Sequence, residues 1–408
     1  MAEKRGADVD EREAKRAHVG GGGEPLERDT ASPPDLDQVV TAPSAPFAAT
    51  SGAPACAPAA RRASTRKVAI VVAYCGLGYA GLQRNPNVRA VEDDIIAAAV
   101  RAGRVPAELS SDMKALWWCR CARTDKGVHA LANVLSFKCV LPHDECVDGV
   151  ATTLNAHLPP TVRVLAARRA TRGFDAHKLC DSREYDYLLP ARALRSPLTG
   201  RVCGVADAAG VDGAHAPLSD AELAAVDRLL GGFEGTRNFH NYTHGHAPTA
   251  PQAVRYMMRL RAARAPSLDS EPFVALRFKG ASFLVNQIRK MVAVTVARAR
   301  GLVDDELFAA TLSQARMPIA IAPAAGLLLR SCSFDHYDRT FGADPSKGGK
   351  LELSGEEEAL RDAFCEAHVL PHVGSAENRT ELDEWLGHLD KFDFRRPFSA
   401  SETPGGAL

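Results

Sequence analysis

The stretch CARTDKGVHA, Cys121 to Ala130, sets a single carboxylate, Asp125, between Arg123 and Lys126 and follows it at once with Gly127. A glycine at the entry to a strand can hold a backbone conformation closed to other residues and leave the side chain beside it presented to a cleft. Asp125 is then a candidate nucleophile or base. The plainer reading is a surface Asp in a turn, paired with one of the two cations that flank it. With no second acid in sight, the stretch fits poorly with glycoside hydrolysis, where two carboxylates flank the scissile bond. Chemistry at Asp125 has to need one acid only.

Two further motifs suggest cofactors, and each fails on its context. HNYTHGH offers His240, His244 and His246 to a metal, yet no carboxylate or cysteine completes the set nearby, and Pro248 and Pro251 follow. A polar loop facing solvent or RNA is the expectation. GLGYAG, Gly76 to Gly81, spells the dinucleotide fingerprint behind an apolar strand. That site needs a helix opening at the glycines, so that its first amides face a pyrophosphate, and an acid ending a second strand. Asn85-Pro86-Asn87 interrupts any such helix, and the expected acid falls inside one. The glycines are read instead as a turn that lets Tyr79 and the backbone approach a partner closely. Of the ten cysteines, the only close pair, Cys119 and Cys121, has one residue between them, not the two of a zinc knuckle or redox motif. Reduced thiols in an intracellular protein are expected.

The 408 residues carry 50 basic and 50 acidic side chains, a balance that by itself excludes nothing. Its distribution is uneven. From Val254 to Gly301 there are ten Lys and Arg against two acids, whereas residues 343–408 hold 14 Asp and Glu against 7 Lys and Arg. A basic stripe interleaved with strand residues is suited to a phosphate backbone.

The elements that must position these residues follow from periodicity. Residues 1–66, rich in Gly, Ala, Pro and charge, cannot bury enough apolar surface to offset chain entropy and read as a disordered tail. KVAIVVAYCG predicts a strand and AVEDDIIAAAVRAG a helix ending on glycine. LANVLSFKCVL, TVRVLAARRA and EYDYLLP predict strands, AVRYMMRLRAARA and FVALRFKGA a hairpin. VDGVATTLNAHLPP and SDAELAAVDRLLGGFEG predict helices, and FLVNQIRKMVAVTVARARG a long amphipathic one. The order repeats loosely over 67–177 and 178–342. Strands in succession without crossover helices fit two α+β subdomains sharing sheet contacts better than a doubly wound parallel sheet. An acidic helical extension occupies 343–408. No apolar run approaches the roughly 18 to 20 residues that span a bilayer. The acids of the first 13 residues argue against secretory and mitochondrial leaders, and Lys4-Arg5 with Lys15-Arg16 could form a split nuclear import signal.

Taken together, these segments resemble the TruA-type tRNA pseudouridine synthases, eukaryotic branch. VAYCGLGYAGLQRN is similar to the family's opening strand and turn, and RCARTDKGVHA to its signature around the catalytic aspartate. REYDY matches its Arg-x-Tyr-x-Tyr segment, GASFLVNQIRKMV the helix that brings an arginine to the site, and PAAGLLLRSCSFDHY its terminal strand. The resemblance implies two ferredoxin-like, RRM-like subdomains around a central, mostly antiparallel sheet, with RNA in the cleft between them. It implies cleavage of the uridine C1′–N1 bond, rotation of the base and rejoining through C5, with neither cofactor nor metal. It assigns Asp125 as the essential acid, Arg289 as its charge partner and Tyr185 as the ring that stacks on uracil. Arg123 would fill the space of the flipped nucleotide or meet its phosphate, and Lys126, Tyr79, Gln83, Arg84 and Lys290 would contact substrate. The partner implied is tRNA, with messenger and small nuclear RNA left open, and the location the nucleus, with the cytoplasm as second. The alternative is a TruA-like RNA-binding or tRNA-folding protein without catalysis. The segments around 205–217 and 243–251 match no family pattern.

Overall fold

The apolar run after the tail becomes β1 (Ser64–Tyr74), the start of a sheet that gathers every strand among the described residues. The computed structural model describes residues 64–141, 147–205, 216–344 and 348–395. The expected tail up to residue 63 and the loop 206–215 lie outside them.

The chain continues through α1 (Val91–Arg101), β2 (Cys119–Arg120), β3 (His129–Leu141), α2 (Asp148–Asn155) and β4 (Val162–Arg169). Then come β5 (Ser182–Pro190), α3 (Asp220–Gly231), β6 (Gly235–Asn238), β7 (Val254–Arg264), β8 (Phe273–Gly280), α4 (Gln287–Ala299), α5 (Asp305–Leu312) and β9 (Leu327–Ser333). The end is helical: α6 (Asp335–Phe341), α7 (Gly355–Phe364), a π-helical turn at Cys365–Val369, α8 (Leu370–Val373) and α9 (Ala376–Leu389).

The strands lie in the order β4-β1-β3-β9-β5-β8-β7-β6, with β2 on β3. All neighbours are antiparallel except β3 and β9, where His129 and Ala130 run parallel to Leu328 and Leu329. The fold is α+β on one mixed sheet, and this short parallel pairing joins its early strands to its late ones.

Both faces of the sheet are covered, so β1 is nearly all apolar. Val68, Ile70 and Val72 pack into a layer with Ile95 of α1, Leu154 of α2, Val226 of α3 and Val292 of α4. The alternate residues Ala69, Val71 and Ala73 share the other layer with Tyr337, Phe364 and Val369 of the C-terminal helices. Local signals act where they occur: the Ser219 hydroxyl accepts from the Glu222 amide at 3.2 Å to cap α3, and Gly103, at φ +66°, ends α1.

One expectation changes. The amphipathic helix predicted from Phe283 starts only at Gln287, because Asn286 at φ +61° is left-handed, and residues 291–300 are all buried. Arg298 and Arg300, which look like a polar face in sequence, are buried ion-pair partners of Asp305 and Asp390. Among the described residues no helix is long and apolar enough to cross a membrane.

Candidate active site

The Asp125 loop is held from three sides by groups that are themselves buried. Asn133, in the middle of apolar β3, donates to the Ala122 carbonyl at 3.0 Å and to the Tyr74 hydroxyl at 3.2 Å. That hydroxyl pairs with Thr124 Oγ1 at 2.8 Å. Arg183 at the start of β5 donates twice to the Cys121 carbonyl, at 2.8 and 3.2 Å, and once to Ala281 at 2.8 Å, so one guanidinium ties the loop to the segment leading into α4. A buried polar network satisfied on every member fixes a backbone more firmly than apolar packing does.

The GLGYAG turn forms the third side. A Cβ on Gly81, which sits at φ +113°, would lie 2.7 Å from the Thr124 carbonyl oxygen, and one on Gly76 would run into Val128. These glycines let one backbone lie directly on another. The Leu82 amide donates to that Thr124 oxygen at 3.2 Å. The Gly76 amide donates to Nδ1 of His129 at 3.0 Å, which makes the ring's other nitrogen, 3.0 Å from the Ala325 carbonyl, the one that carries hydrogen. Within the loop, Val128 N donates to the Asp125 carbonyl at 3.1 Å, and Gly127 at φ +76° takes the third place of that turn, where a positive φ is required.

Asp125 thereby faces a cavity of about 480 Å³ that Tyr185 of β5, Arg289 of α4, Arg123, Lys126 and Gln83 also line. Burial pushes the Asp125 carboxyl above the ordinary carboxylate range, against the opposing pull of Arg289, His244, the Asn286 amide and Arg123. Arg289 acts through space: its Nε donates to the Ala322 carbonyl at 2.6 Å and its Nη1 to Asn286 Oδ1 at 3.3 Å. Its own burial pulls it below the usual arginine value. The Tyr185 ring meets Phe283 edge-on at 5.2 Å, and burial holds its phenol well above the usual value, so it stays protonated. A carboxylate not yet quenched by an ion pair, a protonated phenol and a guanidinium around one cavity can hold a flat, polar ring and attack or deprotonate it.

The remaining expected residues divide. Arg123 and Lys126 are exposed and form no hydrogen bond or ion pair with any described residue. Tyr79, Arg84 and Lys290 do not line this cavity. Tyr79 is buried with its hydroxyl on Asp94 at 2.5 Å and Arg89 over its ring. Arg84 pairs with Asp93 at 2.6 Å and donates to the Ser110 carbonyl. Lys290 points its ammonium at the Asn241 and Thr243 carbonyls, 2.9 and 3.2 Å away, and burial pulls it down to about 8. The three histidines do not converge; among the described residues the only metal-ligand group is Cys121, Cys180 and Cys332, with sulfurs within 4.8 Å.

Sequence reasoning missed Arg183, Asn133, Tyr74 and His129. The signal was there for Asn133, a lone amide in an apolar strand, which must find buried partners.

A family model described as tRNA pseudouridine synthase matches residues 231–335. The chain is similar to the "Pseudouridylate synthase 1 homolog" of Mus musculus, 34% identical over 82% of this chain and 76% of that one. The Homo sapiens protein of the same name is 34% identical over 80% and 74%, and the "tRNA pseudouridine synthase 1" of Yarrowia lipolytica 31% over 71% and 67%.

Proposed function

The chain belongs to the TruA family of tRNA pseudouridine synthases, in its eukaryotic branch, and from that premise we propose that it isomerises uridine to pseudouridine in tRNA. One observation carries the site assignment: Asp125, Tyr185 and Arg289, from three distant segments, line a single cavity. The reaction breaks the C1′–N1 bond, turns the uracil and joins C5 to C1′. Every atom stays on one nucleotide and no electron is gained or lost, so the balance closes with one acid. Asp125 serves as nucleophile or base. Arg289 supports its ionised form against the cost of burial. Tyr185 stacks on the uracil, and its polar tip helps move the C5 proton. Arg123 and Lys126, without hydrogen-bond or ion-pair partners among the described residues, take RNA phosphate.

Residues 67–177 and 178–342 are assigned as two ferredoxin-like subdomains; the order β4-β1-β3 on one side of the parallel junction and β9-β5-β8-β7-β6 on the other supports this. Residues 343–408 form an extension. The Arg168–Glu357, Arg192–Asp383 and Arg300–Asp390 pairs favour a bracing role for it. A nuclear location, with the cytoplasm as second, rests on the two basic pairs near the N-terminus and on the family resemblance.

The test is to incubate the protein with unmodified tRNA, and with messenger and small nuclear RNA alongside, without cofactor and with chelator. Pseudouridine is then read by its carbodiimide adduct. Asp125→Asn is expected to lower turnover on the order of 10³-fold or more while leaving tRNA binding in place. Retained turnover in that variant would sink the catalytic assignment, and binding without turnover in the wild type would favour the non-catalytic alternative.

A further inference from the structure

Adjacent tryptophans just ahead of the Asp125 loop take opposite roles. Trp118 is 7% exposed, stacks on Phe137 at 5.1 Å and donates its indole N–H to Glu92 at 2.7 Å. Trp117 is 39% exposed and sits at φ +48°, a left-handed backbone that a bulky residue rarely adopts. Hydrogen bonds on both sides hold it there: its amide donates to Lys114 at 3.0 Å, its carbonyl accepts from Lys67 Nζ at 2.5 Å, and Lys138 N donates to Leu116 O at 2.8 Å. The fold therefore spends no effort in burying this ring; it presents it.

What surrounds the ring is basic. The Lys138 ammonium lies 4.0 Å from its centroid and the Arg172 guanidinium 5.8 Å away. Neither cation has any other hydrogen-bond or ion-pair partner among the described residues. The acid on the Arg172 loop, Asp175, has its Oδ1 engaged by the amides of His177 and Lys178, at 2.9 and 3.1 Å. A partly exposed indole with one cation packed over it and a second farther off is suited to single-stranded nucleic acid, where bases stack on the open part of the ring and phosphates are neutralised.

The patch lies close to the cavity along the chain on two sides. Trp117 is four residues from Cys121, so at most about 14 Å of extended chain separates it from a cavity wall. Arg172 lies on the same loop as His177, which lines the cavity as well.

We propose that Trp117, Lys138 and Arg172 form a stacking subsite for an unpaired nucleotide of the RNA substrate near the target uridine. The subsite rests on the reading of the chain as an RNA-modifying enzyme and adds to it a contact outside the reaction cavity. It gives affinity for unpaired, flexible segments over duplex, because only an unstacked base can lie on the indole.

The experiment uses the full chain and unmodified tRNA. Trp117→Ala is expected to raise Kd and KM about ten-fold, with the loss in KM and not in kcat, and with Tm within about 2 °C of wild type. Arg172→Ala should reduce the slope of log affinity against log salt by about 0.7 to 0.9. Tryptophan emission should be quenched by RNA in the wild type and not in Trp117→Phe, because Trp118 is buried and the third tryptophan, Trp385, is packed against the core from α9 in the C-terminal helices. Should Trp117→Ala fail to fold, that quench and the Arg172→Ala slope still decide. Wild-type affinity in both variants, or a quench that survives Trp117→Phe, overturns the subsite. Failure of the enzymatic reading looks different: the wild type then forms no pseudouridine, whatever Trp117 does to binding.

Discussion

The basic residues at the rim of the cavity and those of the Val254–Gly301 stripe look alike in sequence and behave differently in the fold. Arg123 and Lys126 are exposed and have no partner among the described residues. In the stripe, Arg261 pairs with Glu234, Arg264 with Asp220, Arg277 with Asp186, Arg298 with Asp305 and Arg300 with Asp390. None of those acids falls among the ten cations' immediate neighbours in the chain, save Asp305 just past the window's end. A local excess of positive charge is thus a statement about the window, and the sheet and helix packing decide which cations remain for a polyanion. Arg259 and Lys279, cross-strand neighbours whose side chains have no partner among the described residues, are the stripe's exception. Like charges placed opposite each other cost stability, which marks that pair as available to phosphate.

The widest separation falls between adjacent residues. Arg289 lines the cavity, whereas Lys290 is turned toward the carbonyls of Asn241 and Thr243. Arg289→Ala is expected to cut kcat about 10²-fold, the order lost with one preorganised electrostatic group, with a small change in Tm. Lys290→Met should cost about 1–3 kcal/mol by leaving two carbonyls without their donor, and leave kcat nearly as it was. The pH dependence gives the sign. Lys290 titrates at about 8 in the fold against 10.5 in the unfolded chain, so between those values the unfolded state binds more protons and folding strengthens as pH rises. Wild type should gain on Lys290→Met across that window in denaturant titrations; a flat difference would show that the ammonium is not desolvated as described.

How much of this could be read beforehand follows from range. β1, β3, β4, β5, the β7–β8 hairpin and α1 to α4 are set by neighbours in the chain and follow from periodicity, whereas the short β2 and β6, and α5 and α6, carry no such signal. Asp125 stands out because it lies between two cations and Gly127 follows two residues on. Arg84 and Tyr79 were expected at substrate, but they are engaged by Asp93 and Asp94, acids on the first turn of α1 whose side chains turn back toward the preceding loop. Arg183 could not be given its task, since its partners Cys121 and Ala281 lie 62 and 98 residues away. The start of α4 was placed early for a local reason: Phe283, Leu284 and Val285 are apolar at helical spacing, and only the left-handed Asn286 breaks the run.

A milder perturbation sharpens the rim. Arg123→Ala should leave Tm nearly unchanged, because the exposed side chain makes no hydrogen bond or ion pair with any described residue and acts on Asp125 only through space, and lower the salt slope of tRNA binding by about 0.9 for a phosphate in duplex or 0.7 in a single strand. Lys126→Ala should do the same, and the two losses should add, since neither group shares a hydrogen-bond or ion-pair partner among the described residues.

The smallest effect belongs to the stripe. Arg264 is an exposed member of it, 2.6 Å from a still more exposed Asp220, with a further bond to the Leu218 carbonyl at 3.1 Å. Pairs of this kind contribute about 0 to 1 kcal/mol, screened by salt. Arg264→Ala should therefore shift stability by no more than about 0.5 kcal/mol and leave the salt slope of tRNA binding where it was. If the stripe as a whole met RNA, this substitution would instead remove about 0.9 from the slope, as Arg123→Ala does. Asp220→Asn separates the two explanations further, since it frees the guanidinium without removing it. An unchanged slope there means that Arg264 faces no phosphate. A steeper one means that Asp220 had been masking a cation within reach of the RNA, and the line drawn between rim and stripe would have to move to include it.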